Sequence, residues 1–181
     1  MYDSSLSTLI FHELMNGKVI NRTVLNNSGE FTANPLFKEV MENLKDYRTQ
    51  YEMSGCEFID ESEFIFIRDR ASSRDDLKTD ITMKACILLL ILGKYINENN
   101  YRLSKLTEPS GGITRADIEA IQEEEDTVEL IEKAKLKSDL HAEIKNVLVN
   151  RNIMLEKPSE ESYILSDAGR AFFTEVIESY V

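Results

Sequence analysis

The 181 residues suit one large domain or two small ones, and 42% hydrophobic with 30% charged residues describes a chain that folds around a core rather than one that stays disordered. A formal charge of −12 opposes any hold on nucleic acid by bulk electrostatics and favours basic protein partners, although a local cationic strip could still touch phosphate. The longest apolar run, Ala85 to Leu92, falls well short of the roughly 18–20 residues that cross a bilayer.

Met1 to Ser5 carries no basic stretch ahead of an apolar one, so no secretory signal is expected and the protein is read as intracellular. Cys56 and Cys86 are isolated thiols in apolar surroundings, which assigns them to core packing rather than to a disulfide. In chain order, Leu6, Leu9, Ile10 and Leu14 give a helix that Asn16-Gly17 stops. Lys18 to Ile20 is a short extended piece. The polar stretch 21–33 reads as a short helix starting at Thr23-Val24-Leu25 and ended by Asn26 to Gly29. Asn34-Pro35 then caps and opens one helix to Met53, with Leu36, Val40, Leu44, Tyr47 and Tyr51 on one stripe. After Ser54-Gly55 the period becomes extended: Cys56 to Ile59, a turn near Asp60 to Ser62, and Glu63 to Arg68 form a β-hairpin.

The charged, serine-bearing segment 70–79 is the expected boundary, dividing the chain into domains 1–76 and 77–181. A second round of the same order follows. Asp80 to Asn97 is a hydrophobic helix, and residues 99–112 connect it to a helix from Thr114 to Gln122, where Thr114 and Asp117 match a capping box. Residues 127–151 give one turn of helix, a bend, and a long helix whose Leu140, Ile144, Val147 and Leu148 share a face. Ile153 to Leu155 and Ser162 to Leu165 bracket a turn at Lys157 to Glu160, and Ser166 caps a closing helix bearing Phe172, Phe173, Val176, Ile177 and Tyr180. The fold expected is mainly α with small β-hairpins, an α+β chain of tandem winged-helix domains.

Reaction chemistry finds little support. His12 and His141 stand in no metal-ligand spacing, and His141-Ala142-Glu143 has no downstream Pro-Cys pair of the kind zinc deaminases carry. Gly111-Gly112 lacks the Gly-Lys-Ser/Thr ending of a phosphate loop. No nucleophile-base pair emerges, so the expectation is a non-enzyme without cofactor or metal.

Tyr47 and Tyr51 at a helix end, Glu57-Phe58-Ile59 opening the hairpin, Phe64-Ile65-Phe66-Ile67-Arg68-Asp69-Arg70 closing it, and the aliphatic helix from Leu88 to Tyr95 resemble the MukE/MksE subunits of bacterial condensins. The likeness runs from about Pro35 to Tyr180, through the acidic stretch, the long helix and the second hairpin. It implies a homodimer that binds a kleisin of the MukF/MksF type and, through it, a MukB/MksB-like SMC ATPase. It further implies a cytoplasmic, nucleoid-associated part in chromosome condensation and segregation or, in a related system, in acting against plasmids. Val181 ends the chain without the polar acidic tail of longer enterobacterial relatives, so no role of that tail is carried over.

Two surfaces are candidates for docking. In the first hairpin both faces are apolar, Ile65 and Ile67 on one and Phe64 and Phe66 on the other, so one face must be covered by the second domain or by another chain. From Asp117 to Glu132 eight acids run without a base, which is either a solvated helical surface or a face for a basic partner segment. Phe58, Phe64, Phe66, Glu123, Glu124 and Glu125 are therefore the candidate partner contacts. Candidate phosphate contacts are Arg68, Arg70 and Arg74 beside the first hairpin, and Lys135, Lys137, Lys145 and Arg151 around the long helix. Few cations interleaved with Asp139 and Glu143 favour nonspecific contact within an assembly over the alternative, a transcription regulator reading an operator.

Overall fold

A computed structural model describes residues 2–70 and 75–180, with side-chain surroundings for 2–70 and 82–179. The chain is a mixture of helices and small antiparallel sheets, as the α+β reading expects.

In the first half α1 (Ser4–Met15) starts where the Asp3 carboxylate accepts the Ser5 and Leu6 N–H groups, and ends at Asn16, ahead of Gly17 at φ +73°. β1 (Ile20–Asn21) follows, then two short strands, β2 (Thr23–Leu25) and β3 (Phe31–Ala33), that pair as a hairpin. Here the expected short helix is wrong. The Asn26 side chain accepts the N–H groups of Ser28 and Glu30, and Gly29 at φ +77° completes a turn that folds the strands together.

Asn34 caps α2 (Pro35–Glu42), and α3 (Leu44–Met53) follows. The single helix expected from residue 34 to 53 is thus two, broken at Asn43 (φ −122°), whose amide donates to the Glu39 carbonyl and carboxylate at 3.1 Å each. The apolar stripe survives the break because both pieces face one core. Strands β4 (Cys56–Asp60) and β5 (Phe64–Asp69) close this half, and β1 adds to β5 to give the sheet order β1-β5-β4. Ile10, Leu14, Ile20, Phe37, Val40, Tyr47, Tyr51, Phe58 and Ile65 fill the core.

The second half opens with α4 (Asp75–Glu98), whose Leu88, Leu89, Ile91, Leu92, Tyr95 and Ile96 are buried. The boundary expected at 76/77 falls inside this helix, beside residues 71–74, which lie outside those described. Among the described residues no helix is long and apolar enough to cross a membrane.

After α5 (Ser104–Thr107) come β6 (Ile113–Thr114), α6 (Arg115–Glu123) and α7 (Glu125–Lys133). Helix α8 (Leu140–Ile144) continues through Lys145–Val149 with the wider i→i+5 pattern. β7 (Met154–Glu156), β8 (Ser162–Leu165) and α9 (Asp167–Tyr180) complete the chain. The sheet order is β6-β8-β7. Each half therefore follows one plan: a short strand ahead of helices pairs antiparallel with the second strand of the hairpin that comes after them.

The capping box expected at Thr114 and Asp117 is present and carries more than a helix start. Asp117 accepts from the Thr114 N–H at 2.8 Å and the Tyr95 hydroxyl at 2.7 Å, and meets the Lys105 ammonium at 3.0 Å. Burial alone would raise its pKa, but these donors together hold it below the usual carboxylate range. The folded value lies under the unfolded one, so the stabilisation is present above about pH 3.9 and disappears as pH falls through the folded value. Asp117→Asn should cost about 1–3 kcal/mol at pH 7. The gap from wild type should narrow in urea titrations as pH falls below about 3.9; a gap that stays constant as pH falls would contradict the assignment.

Candidate docking surfaces

The first hairpin carries its aromatic side chains on β5. Phe64 is 7% exposed and meets Phe172 of α9 edge to face at 5.4 Å between ring centroids. Phe66, half-buried, lies 6.1 Å from Phe64 and 6.3 Å from Phe172. Val19, Phe64 and Ala168, with Phe66, Ala171 and Phe172 beside them, make a small apolar cluster that joins the halves. The second half, through α9, thus covers this face of the hairpin. Phe58 faces the other way, 4% exposed and stacked on Tyr51 at 5.7 Å, which makes it a core residue of this chain and takes it out of the set of surface anchors. Of the three aromatics, Phe66 keeps exposed area, and the Arg68 guanidinium lies over its ring at 5.3 Å.

An open cleft of about 560 Å³ adjoins this cluster, lined by Glu61, Ser62 and Glu63 of the hairpin turn and by Arg170, Phe172 and Glu175 of α9, among others. Its rim charges are partly matched. Arg22 pairs with Glu63 at 2.8 Å, and Arg170 pairs with Asp167.

The acidic run occupies α6, α7 and the corner between them. Glu123 ends α6; Glu124 lies at the corner; Glu125 and Asp126 stand in the first turn of α7, where negative charge suits the exposed N–H groups. Lys94 of α4 reaches this corner, 3.1 Å from Asp126 and 3.8 Å from Glu124, and its pKa is raised, first by the hydrogen bond to Asp126. Glu123 and Glu125 stay exposed. So do Val128 and Leu130 on α7, apolar neighbours of the charge.

The cations distribute unevenly. Arg68 faces Glu57 at 3.9 Å, and Arg70 is exposed just past β5, while Arg74 lies outside the described residues. Lys135, at φ +53°, and Lys137 are exposed in the bend between α7 and α8. Lys145 stands 3.6 Å from Glu156, and its pKa is raised by Tyr163 first and Glu156 second. Arg151 turns toward the first half, where its guanidinium donates to the Gly17 carbonyl at 3.4 Å and burial lowers its pKa. A guanidinium held in that joint is poorly placed for phosphate, so Lys135, Lys137 and Arg70 are the better-exposed candidates.

The residues that join the halves carry no local signal in the sequence. Asn21 and Asp167 are buried polar side chains, and both bond across the joint. A polar residue beside a short strand gives no periodic signal, and its partners lie more than a hundred residues away.

Two small sheets of one strand order, fastened together and edged with exposed ionic and apolar groups, make up an α+β chain. The chain belongs to the family described as condensin complex protein MksE, whose model matches residues 5–177. No curated protein and no solved structure matches it.

Proposed function

We propose that this chain is the non-enzymatic accessory subunit of a bacterial condensin, a tandem winged-helix protein with domains 1–76 and 77–181 that binds a kleisin as a dimer. Membership of the MksE family over residues 5–177 carries the reading. The matching strand orders β1-β5-β4 and β6-β8-β7 support two winged-helix units, with the β4–β5 and β7–β8 hairpins as the wings. Through the kleisin the chain joins an SMC-type ATPase in the cytoplasm, at the nucleoid, and contributes to chromosome condensation and segregation or to plasmid restriction. ATP hydrolysis belongs to that partner. DNA contact is nonspecific and shared, with Arg70, Lys135 and Lys137 as the exposed contributors and a net charge of −12 limiting what the isolated chain can hold.

Purification of the tagged chain from its native cell should recover a kleisin and a large coiled-coil ATPase. Recovery of the chain with neither, under conditions that preserve other complexes, would contradict the proposal. In a gel-shift assay the isolated chain should bind DNA weakly and without sequence preference; tight binding to one operator sequence would point to a regulator instead.

The acidic corner supplies a separate expectation. Glu124 is engaged by Lys94, so charge reversal at Glu123 and Glu125 changes the surface at a cost to the fold limited to about 1 kcal/mol at the start of α7. The double variant Glu123→Lys, Glu125→Lys should weaken capture of the kleisin complex by about tenfold at low salt, with the difference shrinking as salt rises. Equal capture at all salt concentrations would leave these acids as a solvated surface.

A further inference from the structure

The two halves meet across an apolar cluster, and such contacts resist separation but do not by themselves fix an angle. Beside it lies a set of hydrogen bonds that does. The Asn21 side chain, 2% exposed, accepts the Ala168 N–H at 2.9 Å and donates to the Asn152 carbonyl at 2.8 Å. Asn152, held at φ +61°, donates its own amide to the Val19 carbonyl at 3.0 Å and to the Glu13 carboxylate at 3.1 Å. The Asp167 carboxylate accepts both the N–H and the hydroxyl of Thr23, at 2.7 and 2.8 Å. The Val19 N–H donates to the Arg151 carbonyl at 3.0 Å.

We infer that Asn21, Asn152 and Asp167 form a polar latch that fixes the two halves at one angle, so that the chain unfolds and docks as a single body. Buried groups of this kind act directionally. Tilting one half would leave the nearly buried Asn21 amide without partners and take the Thr23 donors from Asp167, which would keep its pairing with Arg170, and each such loss is costly. The β2–β3 hairpin extends the latch, because Thr23 supplies the donors to Asp167, Phe31 lies under the Arg170 guanidinium at 5.3 Å, and Gly29 approaches the Pro158 ring of the second wing. A partner touching both halves would meet a preset geometry. That consequence rests on the docking reading above, whereas the latch itself does not.

Two substitutions separate the latch from general packing. Asn21→Asp keeps the shape and the acceptor for Ala168 but turns the donor toward Asn152 into a second oxygen facing a carbonyl. Asn152→Gly keeps the positive φ and the backbone carbonyl while removing the side-chain amide. Hydrogen exchange read by mass spectrometry across a urea series follows both halves at once, through peptides of α3 and of α4 around Leu88–Leu92. In the wild type both should lose protection at one urea concentration. In either variant the midpoints should part by about 0.5 M or more while both helices remain protected without urea. Midpoints already apart in the wild type, or still coincident in both variants, would overturn the latch. Should Asn21→Asp fail to fold, Asn152→Gly decides alone.

Discussion

Gly169→Ala should lower stability by about 4 kcal/mol, a large share of the roughly 5–15 kcal/mol that holds a domain folded. Gly169 sits in the first turn of α9, where an added Cβ would fall 2.0 Å from the Ile153 carbonyl oxygen. That oxygen cannot withdraw cheaply, since it accepts from both the N–H and the hydroxyl of Ser166, at 3.1 and 2.9 Å. Moving it breaks two buried hydrogen bonds and, through the Ser166 hydroxyl that also receives the Gly169 N–H, loosens the start of the helix. Gly93→Ala is the control. Its Cβ would meet Phe173 and Ile177 at 3.2 Å, but those atoms are side-chain ends that can shift, and the gain in helix propensity offsets the crowding. The control should stay within about 1 kcal/mol of wild type in urea denaturation. A wild-type midpoint for Gly169→Ala would refute the close approach.

Phe64→Ala should cost about 3–4 kcal/mol, because a nearly buried ring is lost from the cluster between the halves and Phe172 cannot fill the space from the far side. Phe66→Ser should cost less, since that ring is already half exposed. The pair separates two roles that the sequence leaves merged. A stability loss with Phe64→Ala and a binding loss with Phe66→Ser would place one ring in the joint and the other on the partner. Equal stability losses would assign both to the fold.

The strongest local signals were readable from the residues alone. The change of period after Gly55, the Thr114/Asp117 capping box and the Ser166–Gly169 start of α9 each concentrate their chemistry within a few positions, and each forms where expected. The β2–β3 hairpin is not legible in the sequence because strands of three residues hold too little alternation to register, and Asn26 to Gly29 suits a helix end as well as a turn. The break at Asn43 is hidden for a different reason: the stripe Val40, Leu44, Tyr47 keeps helical spacing across it, while the interruption is marked by the Asn43 backbone at φ −122° and its side-chain contact with Glu39. Phe58 and Phe64 were legible as apolar but not as internal, since alternation says which residues share a face and nothing of what covers it. The joint residues Asn21, Asn152 and Asp167 depend wholly on contacts distant in sequence.

Light scattering on the eluting peak, when the purified chain is mixed with a purified kleisin encoded by the same cell, tests most directly the proposal that this chain binds a kleisin as a dimer. Two copies of the chain should elute with the kleisin as one stable species, and the free chain should elute as a dimer. Separate elution of a folded monomer and an unbound kleisin would contradict the condensin-subunit reading.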